Sequence, residues 1–233
     1  MKNRTLYIAL FTLLSLTAMG QTKKLKNQPK YDKKPIHFGF FLGVNWYDLR
    51  IDPVENLAGV PNYHGFRTEV NPGYSIGIIS DLRLSDYFTL RFIPTFATTE
   101  RKLYFDLTSP NTGERRIFER DVESSFIDFP FYLKYRSSRI NNYRWYVLGG
   151  VKYSLDLSSK QDVEDDLIFK LKRNDVAAEV GIGLDFYFEY FKFSPQLKAS
   201  FGTNNLLVQD GTQPVEGISA IYNRAIFLNL TFE

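Results

Sequence analysis

The sequence predicts an all-β protein: an eight-stranded antiparallel up-and-down transmembrane β-barrel of the outer membrane. Three observations carry this prediction. Apolar and polar residues alternate with a period of two in repeated segments, short and long connections take turns, and the chain ends on an amphipathic strand. The apolar members of that last strand are Ile226, Leu228, Leu230 and Phe232.

Alternation of apolar and polar residues defines each strand in turn, because successive side chains of a strand point to opposite faces. Pro94 lies inside the third segment and cannot donate a ladder hydrogen bond, so we expect a break or bulge there. An even number of strands is what bacterial barrels have. The predicted strands are 38–47, 74–84, 88–104, 127–136, 145–156, 176–186, 191–201 and 226–232.

The connections between these strands differ in length in a regular way. In outer-membrane barrels the short turns are periplasmic and the long loops extracellular, so both termini are predicted to lie in the periplasm. Tyrosine, tryptophan and phenylalanine residues crowd the short-turn ends and resemble an interfacial girdle. The short connections are 85–87, 137–142 and 188–190, and the long polar ones are 50–71, 106–121, 158–174 and 203–217.

The N-terminal residues predict export from the cytoplasm. Lys2 and Arg4 precede a short apolar run, which is followed by the small-residue site Ala18-Met19-Gly20. This order is typical of a cleaved signal peptide, and the run is shorter than the about 20 residues of a spanning helix. We therefore divide the chain into a signal peptide (1–20), a basic periplasmic tail (21–36) and an outer-membrane barrel domain (37–233).

The predicted tail carries six lysines and one aspartate, a net charge of +5. It has no apolar period and contains Pro29 and Pro35, so we expect an extended, solvated segment. The alternative is that its lysines form a specific docking site.

A soluble barrel of the lipocalin kind is the alternative interpretation of the same alternation. In that arrangement the apolar face would line a ligand cavity and the charged face would meet water. The export signal, the aromatic girdle, the loop asymmetry and the C-terminal aromatic together favour the membrane barrel and outer-membrane lipid as its surroundings.

If the apolar face meets lipid, the charged face lines the lumen, where charges require partners. Counting outward from the short turns brings opposite charges together on neighbouring strands. An eight-stranded barrel has room only for side chains, so we expect a filled lumen and a structural role for these charges. The predicted pairs are Asp81 with Arg91, Asp128 with Lys152 and Glu179 with Lys198, joined by Lys134 and Asp185.

The sequence offers little for catalysis or metal binding. It has no cysteine, and its two histidines, His37 and His64, are far apart in sequence with no nucleophile motif beside them. We expect no catalytic, cofactor or metal site, no enzymatic activity and no nucleic-acid partner.

The tail and first strand contain the segment Pro-Lys-Tyr-Asp-Lys-Lys-Pro-Ile-His-Phe-Gly-Phe, followed by Leu42-Gly43. This segment resembles the lead-in and first strand of the PorT family of Bacteroidetes. The segment 129–137 also matches, but its core motif Pro-x-x-Leu-Lys is shared by a broader class of small Bacteroidetes barrels and is less specific than the tail and first strand. The resembling segments are 29–40, 77–84, 90–94, 123–125, 129–137 and 149–153.

The resemblance implies an outer-membrane barrel associated with the type IX secretion system and, in gliding species, with motility. It implies an accessory that supports or assembles the translocon, with other type IX components as possible partners and no catalytic residues. The alternative is a general small barrel that serves adhesion, envelope integrity or small-solute passage.

Overall fold

The computed structural model describes residues 27–55, 63–108, 114–159, 171–208 and 217–233. The predicted signal peptide (1–20) and the first part of the predicted tail (21–26) lie outside the described residues.

Apart from one turn of 3-10 helix, Tyr31–Lys33, the regular structure described is β-strand. In the described ranges, no helix is long and apolar enough to cross a membrane. The strands are β1 (Ile36–Pro53), β2 (Tyr63–Val70), β3 (Pro72–Arg83), β4 (Phe88–Phe92), β5 (Thr95–Thr108), β6 (Arg115–Arg136), β7 (Tyr143–Asp156), β8 (Asn174–Tyr187), β9 (Lys192–Gly202) and β10 (Ile218–Phe232).

These strands form a closed antiparallel ring of eight barrel strands, as the sequence predicts. β2 and β3 make one barrel strand interrupted at Asn71, and β4 and β5 make another interrupted at Ile93 and Pro94. The interruption at Pro94 confirms the predicted break. β1 pairs with β3 on one side and with β10 on the other, so the C-terminal strand closes the barrel against the first.

Two segments predicted as loops contain strand. β2 lies within the predicted loop 50–71, and β5 and β6 continue as a hairpin into the predicted loop 106–121. β2 pairs with the outer part of β5, which pairs with the outer part of β6. We call this three-stranded extension, made of β2, 101–108 and 115–122, the projecting blade.

The polarity of the two barrel faces reverses along the length of the strands. In the first part of β1, the outward Phe38 is 69% exposed, whereas farther along the outward residue is Arg50 and the inward residue Leu49 is buried. The alternation keeps its phase while its polarity inverts, because an outward side chain there meets water rather than lipid.

Inward apolar residues fill the long-loop end of the barrel. Leu49 and Ile51 from β1 pack there with Leu103 and Phe105 from β5. This end therefore has a packed core like that of a soluble protein, and the remaining members of the core are Leu171, Leu206, Leu207, Ile218 and Ile221.

Aromatic side chains surround the opposite, short-turn end. Tyr135 contacts Tyr87, Phe88 and Trp145, with ring centroids 5.5–6.3 Å apart. Exposed rings at this position suit the boundary between hydrocarbon and water, because one side of each ring is apolar and the tyrosine and tryptophan rings also carry a polar group.

Candidate functional site

The lumen is the candidate site, because it concentrates the buried polar side chains. On β6 the outward residues include Phe131 and Leu133, whereas Asp128, Tyr132 and Lys134 point inward and are buried. The same division recurs on the other strands, so the period of two places an apolar surface outside and ionised groups inside.

Asp81 and Arg91 lie directly opposite each other on β3 and β4. Arg91 donates from Nε and Nη2 to the two Asp81 carboxylate oxygens at 2.6 Å each. The same Nη2 lies 2.6 Å from Glu233 Oε1. Bidentate geometry and a second carboxylate compensate a guanidinium that has no exposed surface.

Glu233 links this pair to three further charges. Lys192 Nζ lies 2.7 Å from Glu233 Oε2 and 3.9 Å from Asp185 Oδ1. Lys134 Nζ approaches the same Asp185 atom at 3.3 Å, and Ser194 donates to it at 2.6 Å. The resulting short-turn cluster has three carboxylates and three cations: Asp81, Asp185 and Glu233 with Arg91, Lys134 and Lys192.

A second cluster, the mid-barrel cluster, consists of Asp128, Lys152, Glu179 and Lys198. Lys152 Nζ lies 3.4 Å from Asp128 Oδ2 and 3.2 Å from Glu179 Oε1, and Lys198 Nζ lies 3.1 Å from Glu179 Oε2. Each cation therefore has a carboxylate partner, and the four formal charges cancel.

Two tyrosines add hydrogen bonds to the mid-barrel cluster. Tyr132 donates to Glu179 and accepts from Lys198 at 2.7 Å. Tyr47 donates to Asp128 at 3.3 Å and accepts from Lys152 at 3.2 Å. Such bonds satisfy lone pairs and protons that would otherwise be buried at a cost.

Apolar and aromatic side chains separate the polar clusters. Phe41, Ile79, Ile93 and Leu148 pack with Tyr132 and Tyr146 between the two charged clusters. Gln196 donates to the Tyr146 hydroxyl at 3.0 Å, and Lys134 lies 3.6 Å from the centre of the Tyr146 ring. A further cluster of buried apolar and aromatic side chains lies closer to the long-loop end and consists of Tyr47, Ala97, Phe126, Ala225 and Phe227.

Arg101 lies toward the long-loop end. Unlike the cations of the short-turn and mid-barrel clusters, it hydrogen-bonds to neutral side chains. It donates to Asn223 Oδ1 and Ser124 Oγ at 2.8 Å each, and Asn223 donates to Asp175 Oδ2 at 2.9 Å. A neutral amide thus connects the buried guanidinium to the carboxylate of Asp175.

The segment 27–35 folds back over the short-turn end, and we call it the docked tail. Asp32 Oδ1 accepts from Arg144 and from the Tyr187 hydroxyl at 3.1 Å each, and Oδ2 accepts from Arg139 at 3.4 Å. The prediction of an extended, solvated tail is therefore wrong from Asn27 onward. β1 begins at Ile36, the last residue of the predicted tail.

Tyr31 and Asn27 provide further docking contacts. The Tyr31 ring stacks on His37 at 4.0 Å, and its hydroxyl donates to Glu233 Oε2 at 3.1 Å. Burial raises the pKa of Tyr31, so the hydroxyl stays protonated as a donor. Asn27 donates to Asn142 Oδ1 at 2.8 Å and to the Tyr187 carbonyl at 2.9 Å.

The sequence reasoning missed Glu233, Lys192, Arg101 and Asp32 as members of these networks. Lys192 and Glu233 could have been predicted to lie close together from the sequence, because each is at or next to the short-turn end of a strand. Asp32 is the single acidic residue among the tail lysines, which also sets it apart. Arg101 has no comparable local signal, because its partners come from distant strands.

The two histidines lie apart. His37 stacks on Tyr31 at the short-turn end, whereas His64 Nε2 lies 2.8 Å from Thr108 Oγ1 in the projecting blade. Within the described ranges, no group of three or more histidine, cysteine, aspartate or glutamate residues is arranged to hold a metal ion. The buried carboxylates of the clusters are engaged by cations or hydroxyls.

Comparison with protein families gives a match over most of the chain. Residues 19–208 match the family described as outer membrane protein beta-barrel domain. The chain belongs to this family. As an outer-membrane β-barrel it exposes its apolar wall to lipid and keeps its charges in the lumen, so the soluble-barrel alternative is wrong.

Solved structures similar to this outer-membrane barrel have low sequence identity to it. Neisserial surface protein A is 7% identical, with 85% of this chain and 98% of that chain covered and a TM-score of 0.44. OprG from Pseudomonas aeruginosa is 11% identical, with coverages of 84% and 93% and a TM-score of 0.43. AlkL, solved in lipid bilayers, is 14% identical, with coverages of 91% and 93% and a TM-score of 0.43. No curated protein matches the sequence.

Proposed function

We propose that this protein is a closed, non-catalytic barrel that acts as a scaffold in the outer membrane, with its short-turn end in the periplasm. The filled lumen is the observation that carries the proposal. Two charge-balanced clusters, the aromatic layers between them and the apolar core at the long-loop end occupy it. The docked tail covers the other end. Such an interior suits stability better than transport.

The scaffold role that we propose is that of an accessory to type IX protein secretion, which assembles or supports the translocon. The support is the resemblance of the tail, first strand and core motif to PorT proteins. A filled eight-stranded lumen cannot pass a folded protein, so support of another channel fits this barrel better than conduction of cargo.

Surface attachment is the second candidate function, and the projecting blade favours it. The blade has a cavity of about 450 Å³ lined by Gly65, Phe66, Arg67, Tyr104, Asp106 and Ile117. Ile117 is 70% exposed. An exposed apolar side chain beside paired charges is a common composition for a contact surface.

Gene deletion separates the two candidates. Export of proteins with C-terminal sorting domains is measured in the deletion strain, in a strain complemented with the whole gene and in one complemented with Ile117→Asp/Tyr104→Ala. The accessory role predicts that deletion abolishes export and that the blade variant restores it. Unchanged export in the deletion strain refutes the accessory role. Loss of surface attachment by the cells without loss of export favours the second candidate.

Conductance in planar bilayers tests the closed lumen. We expect no current steps above baseline from the folded protein across the physiological voltage range. A porin from the same preparation method provides the positive control. Reproducible open-channel currents would contradict the proposed scaffold and favour solute passage.

The absence of cysteine in the sequence makes the proposed orientation testable with single cysteine variants. Ile117→Cys lies in the projecting blade and Ser138→Cys in a short turn, and both positions are exposed. We expect a membrane-impermeant maleimide to label Ile117→Cys on intact cells and Ser138→Cys only after lysis. The reverse pattern refutes the orientation.

A further inference from the structure

Three lysines of the docked tail point away from the barrel. Lys30, Lys33 and Lys34 are exposed, whereas the neighbouring Tyr31 and Asp32 are partly buried by their docking contacts. Within the part of the chain that the structure describes, none of these lysines forms an ion pair. Docking thus fixes the backbone of the segment and leaves three ammonium groups available.

The height of these lysines relative to the bilayer follows from the strand that they precede. Lys34 is two residues before Ile36, the first exposed apolar residue of β1. Two residues of extended chain span about 7 Å. The Pro35 carbonyl accepts from the Arg83 backbone N–H at 2.8 Å, which holds this part of the tail against the end of β3. Lys34 therefore lies beside the edge of the apolar wall.

The other end of the docked tail is fixed at the same level. Gln28 donates from its side chain to the Phe188 carbonyl at 2.9 Å. Phe188 belongs to the short turn after β8 and is exposed, as is Tyr190 in the same turn. Lys30 follows Gln28 by two residues, so it too lies near the aromatic girdle, where lipid headgroups are found.

Most other charges around this end are already balanced. Asp32 lies between Arg139 and Arg144, and Arg83 pairs with Asp86. Glu189 is exposed in a short turn and offsets part of the lysine charge. The rim consequently keeps a positive excess beside the apolar wall.

We propose that Lys30, Lys33 and Lys34 form a binding surface for the phosphate groups of anionic phospholipids. Lysines held near a membrane surface gain affinity for anionic headgroups, and the adjacent aromatic girdle keeps the surface at headgroup level. With the orientation proposed above, the lipids belong to the periplasmic leaflet. The lipid selectivity itself does not depend on that orientation or on the secretion role.

Native mass spectrometry of the folded protein tests the proposal. The protein is released from micelles that contain equal amounts of phosphatidylglycerol and phosphatidylcholine with the same acyl chains, and each bound lipid is counted. We expect the wild-type protein to retain phosphatidylglycerol preferentially. Lys30→Gln/Lys33→Gln/Lys34→Gln should reduce the preference at least fivefold, since one lysine near an anionic surface contributes about that factor.

A matched variant removes the same charge from the opposite end of the barrel. Arg67→Gln/Lys102→Gln/Arg116→Gln alters three residues of the projecting blade and should keep the lipid preference. Equal retention of both lipids by the wild-type protein overturns the proposal and leaves the lysines as a surface for an acidic protein segment. A preserved preference in the lysine variant, or an equal loss in the blade variant, also overturns it. Heat-modifiable migration on a gel verifies that each variant is folded.

Discussion

The hydroxyl of Tyr31 donates to the Glu233 carboxylate at 3.1 Å, which joins the docked tail to the residue that follows the closing strand. The same carboxylate binds Arg91 and Lys192, so one side chain connects the tail, β4 and β9. The tail can complete these contacts only when β10 has closed the ring against β1. Its docking is therefore coupled to completion of the barrel.

Substitution of Asp32 tests the stability of the docked tail. Asp32→Ala leaves Arg139 and Arg144 without this carboxylate, and we expect docking to weaken by about 2 kcal/mol, a typical contribution of charge-assisted hydrogen bonds. Limited proteolysis of the folded protein should then cleave the tail faster, because cleavage follows the population of the undocked form. Lys33→Ala removes an exposed side chain and should leave the rate unchanged. Equal cleavage rates for Asp32→Ala and the wild-type protein would contradict the docking contacts.

The mid-barrel cluster should be sensitive to loss of its shared carboxylate. Glu179→Gln removes the partner of Lys198 and one partner of Lys152, and we expect the free energy of unfolding to fall by about 3–5 kcal/mol. Urea unfolding followed by tryptophan fluorescence measures this change. Glu123→Gln makes the same chemical change on an exposed face and should have little effect.

A double variant distinguishes the cost of an unpaired buried charge from the cost of altered packing. Glu179→Gln/Lys198→Met removes the stranded charge, so the double variant should be more stable than Glu179→Gln alone. The single variant Lys198→Met completes the comparison. If the losses of unfolding free energy in Glu179→Gln and Lys198→Met add up to the loss in the double variant, the two residues are not coupled, and the assigned ion pair is wrong.

Gly183 allows Tyr146 to lie in the lumen. A Cβ at Gly183 would approach the Tyr146 ring to 2.3 Å, whereas a Cβ at Gly149 on the outer wall would find its nearest atom at 4.0 Å. Gly183→Ala should therefore destabilise the barrel by about 1–3 kcal/mol through overpacking, and Gly149→Ala should be nearly neutral. Urea unfolding compares the two, and similar effects from both would refute this steric explanation.

The projecting blade has a carboxylate whose titration can be measured. A hydrogen bond from Arg115 to Asp106, with Nε 2.8 Å from Oδ1, lowers the pKa of Asp106 below its ordinary value. The pair therefore contributes stability above the ordinary pKa of an aspartate and loses that contribution as the pH falls through the lowered value. Carboxyl carbon NMR should find this lowered pKa, and Arg115→Gln should raise it. Arg116→Gln provides the neighbouring control, and an unchanged pKa in Arg115→Gln would rule out the proposed cause.

Local spacing was sufficient to predict part of the lumen. Asp81 and Arg91 are separated by one short turn, so counting from that turn places them opposite each other. Glu233 and Arg91 are 142 residues apart and meet only after ring closure. Their contact could not be counted from a turn, because it depends on the tilt and stagger of all eight barrel strands.

The reversal of polarity explains why the first strand is predicted to end at Tyr47, whereas β1 continues to Pro53. Beyond Tyr47 the residues of β1 still alternate, but the outward position becomes polar at Arg50 and the inward one apolar at Leu49. A rule that seeks an apolar outer face ends the strand at that point. The strand continues, because its outward side chains have left the hydrocarbon and meet water.

The sequence by itself determined the all-β class, the eight barrel strands, the face of each residue within the predicted strands and the apolar outer wall. These follow from the period of two and from the turns, which act between neighbours in the chain. The tertiary structure alone decided that Asp32 docks the tail, that Glu233 joins three elements and that Arg101 reaches Asp175 through an amide. Such contacts join segments that are distant in the chain, so the closed geometry of the ring decides them.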